Sequence, residues 1–108
     1  MKESKNVKIV VFVPEIHADA VRDAINNAGG GKIGNYTHCS FSIKGVGRFK
    51  PGENTKPFIG KVGKFESVNE ERIGFICNRS IVKDVISAIK KVHPYEKVTL
   101  DIYPTIED

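Results

Sequence analysis

Apolar and polar positions in this chain follow two rhythms, a strand-like alternation in four places and a helical repeat in two. Residues 7–13, VKIVVFV, are almost wholly apolar and β-branched, the pattern of a strand apolar on both faces in the middle of a sheet. Pro14 ends it. Over residues 15–28, Ile16, Ala20, Val21, Ala24, Ile25 and Ala28 recur at helical spacing, with Asp19, Arg22, Asp23 and Asn26 on the other side. Gly29-Gly30-Gly31 then stops the helix, since glycine readily takes the left-handed C-cap conformation.

Residues 36–43 alternate, which predicts a strand with Cys39, Phe41 and Ile43 toward the core and Tyr36, His38, Ser40 and Ser42 on the opposite face. Gly45, Gly47, Pro51, Gly52, Pro57 and Gly60 mark a long irregular connection. A further strand is expected over residues 65–77, with Ile73, Phe75 and Cys77 on one face. Ser80 is placed to N-cap a second helix with Val82, Val85, Ile86, Ile89 and Val92 as its apolar stripe. His93-Pro94 closes that helix, because a residue before proline resists the helical region. Val98, Leu100 and Ile102 alternate as a last strand.

The predicted order is β-α-β-β-α-β. Two split βαβ halves with right-handed crossovers make an α+β, ferredoxin-like fold: a four-stranded antiparallel sheet with both helices on one face. The other face is uncovered and carries Val10 and Phe12 beside Lys8, so self-association is the expected cover. At 108 residues the chain is expected to form one domain, residues 1–108.

Charge and cysteine content narrow the setting. No apolar run approaches the length of a membrane span, and no export-signal pattern follows the N-terminal residues, so a cytoplasmic setting is expected. Cys39 and Cys77 belong to no CxxC pair and are expected to be reduced. The net charge of +4 is concentrated between Lys44 and Lys64, where Lys44, Arg48, Lys50, Lys56, Lys61 and Lys64 face a lone Glu53. This basic 44–64 connection leaves open an interaction domain for protein or nucleic acid. No aromatic alternates with these charges and no RNP1 pattern is present, which disfavours nucleic acid.

Three readings compete at residues 29–41, GGGKIGNYTHCSF. A nucleotide loop is disfavoured, because these glycines follow a helix and open a strand, the reverse of the phosphate-binding order. The Gly34-Asn35-Tyr36 amides could form a small anion nest, or simply a turn. His38, Cys39, His93 and Glu96 are the candidate ligands of a divalent metal such as zinc or copper. Strand alternation would send His38 and Cys39 to opposite faces, so the pair is not expected to chelate one ion within a subunit. Tyr95 and Tyr103 could line a ligand cleft or a subunit contact. No nucleophile, base and orienting residue come together in the sequence, so no catalytic residue is assigned.

GGGKIGNYTHCSF (29–41), GVGRFKPGENTKPFIGKVGKFESVNEERI (45–73) and HPYEKVTLDIYP (93–104) together resemble the stand-alone form of the YqfO-type insert domain of the Ngg-interacting-factor-three-like family. The resemblance runs from about Val7 to Pro104. It implies a CutA- and PII-like variant of the ferredoxin-like fold, commonly trimeric. HPYE resembles the corresponding segment of CutA, which is associated with divalent metal tolerance. It also implies that Gly34, Asn35, Tyr36, Cys39, His93, Pro94, Tyr95 and Glu96, which match the family's characteristic positions, gather near a cleft between subunits; Gly34, Asn35, Tyr36 and Tyr95 are the ligand-binding candidates, and His38, Cys39, His93 and Glu96 the metal candidates. The dinuclear metal centre and the GTP cyclohydrolase label of the larger family belong to a flanking domain and do not transfer. Lys97 stands where many relatives read HPYEE, which removes a carboxylate from any cation site there. The expected function is a non-enzymatic, trimeric module that binds a small ligand or metal ion at subunit clefts.

Overall fold

The β-branched run near the N-terminus becomes the spine of the sheet. A computed structural model describes residues 1–108. It contains β1 (Lys2–Pro14), a 3₁₀ turn (Glu15–His17), α1 (Ala18–Asn27), β2 (Phe41–Phe49), β3 (Glu66–Asn78), a second 3₁₀ turn (Arg79–Ile81), α2 (Val82–Val92) and β4 (Leu100–Glu107). The sheet order is β2-β3-β1-β4 and every neighbouring pair is antiparallel. This is the ferredoxin-like, α+β arrangement that the sequence predicts. No helix is long and apolar enough to cross a membrane.

Register decides which side chains reach the core. Val7, Ile9 and Val11 of β1 lie opposite Cys77, Phe75 and Ile73 of β3. All six are buried with Val21 and Ile25 of α1 and Val85 and Ile89 of α2. Each such side chain contributes roughly 1.5–3 kcal/mol on burial. Val98 and Leu100 pack against this cluster from the β4 side.

Gly29-Gly30-Gly31 does end the first helix. Gly29, at φ 97, donates to the Asn26 carbonyl, and Gly30 donates to the Ile25 carbonyl, the bond pair of a Schellman cap. Gly31 then donates to Ile76 of β3 and accepts from Cys39, tying the following segment to the sheet.

Several expectations need correction. Ile16 is not on the apolar stripe; it sits in the 3₁₀ turn and is 86% exposed. Ser80 is not the cap of α2; Asn78 accepts from the Ser80 amide and hydroxyl and caps the preceding 3₁₀ turn. Residues 36–40 are not strand: Ile33 and Tyr36 exchange two backbone bonds around Gly34-Asn35, and β2 begins only at Phe41. Gly34, at φ 57, holds the first central position of that turn, as a type II′ hairpin requires. Gly45 and Gly47 lie within β2 rather than in a connection.

The alternation of β2 was legible but its sense is inverted. Phe41 and Ile43 pair with Gly74 and Arg72 and face the helix-free side, 69% and 49% exposed. Ser42 and Lys44 face the helices instead. Arg22 of α1 explains the inversion: its guanidinium donates to Ser42 at 3.0 Å and pairs with Glu71 at 2.6 Å and Asp19 at 2.7 Å. These bonds hold the Arg22 pKa above its ordinary value, with Glu71 the largest cause. Lys44 adds a 3.2 Å pair with Glu15. A polar clamp thus occupies the flank where an apolar layer was expected.

Candidate functional site

The helix-free face of the sheet ends in a cleft. Its floor is Phe12 of β1, Gly47 and Phe49 of β2 and Glu70 of β3; the 51–59 loop and the 95–99 segment wall it, enclosing about 300 Å³. HPYE builds one wall because His93 leaves the α2 helix in extended conformation, with ψ 131.

His93 anchors that wall. The ring is buried, with Nε2 2.7 Å from the Phe12 carbonyl, and its Nδ1 accepts the Tyr95 amide at 3.2 Å. Those two bonds fit the neutral tautomer with the proton on Nε2. Burial holds the His93 pKa below the ordinary histidine value, against the opposing pull of the Phe12 carbonyl and Glu70.

Tyr95 turns into the cleft and donates its hydroxyl to Glu70 Oε2 at 2.7 Å. Burial, and then this bond, push the Tyr95 phenol above the usual tyrosine range. The ring meets Phe49 edge-on at 6.1 Å and His93 at 5.1 Å. Glu70 is only 8% exposed, yet none of the chain's ion pairs involves it. Gly47 makes room for it: a Cβ there would collide with the carboxylate, although Gly47 has no positive φ.

Glu96 accepts the Lys56 amide at 2.8 Å and so ties the 51–59 loop to the HPYE wall. Phe58 of the same loop packs edge-on against His17 at 5.5 Å, and His17 Nε2 is buried without a hydrogen-bond partner. Sequence reasoning singled out neither Glu70 nor His17. Glu70 has a usable signal, an acidic residue in the register position opposite the glycine-rich half of β2, but only if that strand is extended past Ile43.

The remaining candidates lie elsewhere. Gly34, Asn35 and Tyr36 form an exposed hairpin tip, with Tyr36 76% exposed. His38 has φ 61 and its Nδ1 lies 2.8 Å from the Thr37 hydroxyl, while the half-buried Cys39 thiol is directed to the Thr37 carbonyl. With His38 in a left-handed turn, strand alternation does not govern this pair. The hairpin is tied to β3 at Ile76 and the HPYE wall at Glu70. Those anchors are six positions apart, about 20 Å along a strand. No three His, Cys, Asp or Glu side chains converge to hold a metal ion. Of the eight predicted site residues, the structure brings His93, Tyr95 and Glu96 to one wall and leaves the other five at the far end of the sheet.

The basic connection is also divided. Lys44 and Arg48 share the helix-side parity of β2, and Lys50 stacks over Phe65 at 4.9 Å.

No family model matches the chain. It is 50% identical over 97 residues to a protein of Bacillus subtilis (strain 168) named GTP cyclohydrolase 1 type 2 homolog, a match covering 90% of the chain and 26% of that relative. A solved Bacillus cereus protein related to NIF3 superposes with a TM-score of 0.82 at 44% identity, over 98% of the chain and 26% of that structure. CutA from Xylella fastidiosa superposes with a TM-score of 0.70 at 15% identity, over 97% of the chain and 88% of that structure. The last likeness concerns the fold alone. The chain spans about a quarter of the length of the curated relatives it matches.

Proposed function

Starting from a chain homologous to a quarter-length segment of the NIF3-related proteins, we propose that it works as a trimeric binding module, not an enzyme, taking a small ligand in the cleft beside Tyr95 and Glu70. The observation that carries this reading is that the cleft opens on the same helix-free face that exposes Phe41 and Ile43. A face of that kind favours a second copy as its cover, so the cleft would lie at a subunit boundary. Threefold assembly is what the resemblance to CutA- and PII-like proteins implies.

The separation of the two motif groups supports a shared site only between subunits. Gly34-Asn35-Tyr36, His38 and Cys39 of one chain would have to approach His93, Tyr95 and Glu96 of another. A zinc or copper ion held by His38, Cys39, His93 and Glu96 needs that approach too, and it would compete with the two bonds His93 already makes. A reducing, cytoplasmic setting belongs to the proposal: both cysteines are free, and burial raises the Cys77 thiol pKa.

Subunit mixing tests the assembly. Unlabelled and isotopically heavy chains, refolded together, should give mixed trimers in native mass spectrometry. Monomer masses alone at high concentration would contradict it. Calorimetric titration of wild type and Cys39→Ser with zinc and copper tests the metal site, which requires that the variant bind more weakly.

A further inference from the structure

The carboxylate of Glu70 is nearly buried and pairs with no cation of the chain. It is more than nine-tenths buried, lines the cleft, and receives one neutral hydrogen bond, from Tyr95 to Oε2. Oε1 takes no hydrogen bond from the chain and is open to the cleft beside Gly47, where the missing Cβ leaves it room. Every cation that makes an ion pair is committed elsewhere, Arg22 to Glu71 and Asp19 and Lys44 to Glu15. A buried carboxylate without a countercharge is costly, and one incompletely bonded in a cleft favours a ligand that supplies the missing charge or donor.

The surroundings define what kind of cation fits. Phe12, Phe49, Phe58 and Tyr95 line the cleft, and aromatic faces attract organic cations as well as the apolar bodies that carry them. A metal ion fits poorly, since Glu70 belongs to no group of three His, Cys, Asp or Glu side chains that could hold one. An inorganic anion is excluded by the carboxylate itself. Arg48, Lys97 and Glu96 also line the cleft; neither cation pairs with Glu70, and both would repel a second positive charge, so a monocation suits the cleft better than a polyamine. The volume of about 300 Å³ suits a compact molecule at the lower end of ordinary ligand pockets.

We propose that this cleft binds a small organic monocation, a primary ammonium or amidinium on a flat or apolar body, with its N–H groups donating to Glu70 and its body held among Phe12, Phe49 and Tyr95. The inference rests on reading the cleft as a ligand site, but not on the trimer.

Benzamidine and its neutral counterpart benzamide are suitable probes, followed by amide chemical shifts in a nitrogen-15 NMR titration of the full chain. Benzamidine should give saturable shifts at Phe12, Gly47 and Tyr95 and bind at least about tenfold more tightly than benzamide. Glu70→Gln keeps an acceptor for Tyr95 and should abolish that preference. Gly47→Ala, which crowds the carboxylate, should weaken benzamidine without favouring benzamide. Equal binding of the two probes to wild type would overturn the proposal even if both variants failed to fold. So would an unchanged preference in folded Glu70→Gln, or no binding because a second copy fills the cleft. Light scattering on the same samples separates the two claims: a monomer with Glu70-dependent binding refutes only the trimer, and a trimer with no such binding refutes only the cation site.

Discussion

His93 and Tyr95 show how two side chains of one short motif become a wall. The His93 imidazole is neutral in the fold and has its pKa lowered by burial. Between that value and the unfolded value of about 6.5, the unfolded chain binds more protons, so stability falls as pH drops below about 6.5. Urea unfolding from pH 7 to 5 should show this slope in wild type and a flatter one in His93→Gln. Tyr95 has the opposite linkage. Its raised pKa means that stability is fully present below about pH 10 and is lost as pH rises through the folded value. Tyr95→Phe should flatten that alkaline limb. Arg22→Ala leaves the nearly buried Glu71 without its partner, and should cost about 1–3 kcal/mol in urea unfolding. His93 could be picked from sequence as a residue of interest, but not for the bond that matters. Its partner is the main chain of Phe12, 81 residues earlier, and no local pattern encodes that pairing.

At the scale of elements, periodicity identified both helices and the central strand, because each has an apolar stripe that meets one buried layer. It failed on β2 for a physical reason. An edge strand with no buried residue has two partly wet faces, so alternation shows a strand without telling which side is inside. The glycines of β2 were equally misleading: Gly47 serves the Glu70 carboxylate rather than a turn. The 29–39 segment gives a sharper test. Gly31 has φ 78 and a Cβ there would meet the Cys39 carbonyl at 2.7 Å, whereas Gly34 has φ 57 and open space around it. Gly31→Ala should therefore lose about 3 kcal/mol or more, and Gly34→Ala only about 1 kcal/mol. Thermal or urea unfolding of the two variants checks the order. Equal losses would mean that the tie between this segment and β3 is not what fixes it.

For the whole molecule, the helix-covered face accounts for stability, and the proposed function belongs to the helix-free face. Helices and core are complete within one chain, while Phe41 and Ile43 are exposed on the opposite face and the cleft opens beside them. Ile43→Lys should leave the fold intact, since Ile43 makes no part of the core, and should weaken association by placing a charge on the covered surface next to Arg72. The separation of the hairpin tip from the HPYE wall has the same implication, because only a neighbouring subunit could unite them. Light scattering on the purified wild-type chain is the most direct test of this division between faces. The account predicts a mass of about 36 kDa, three times the 11.9 kDa chain, falling toward one chain in Ile43→Lys with unchanged circular dichroism. A wild-type mass of one chain at every concentration would contradict it.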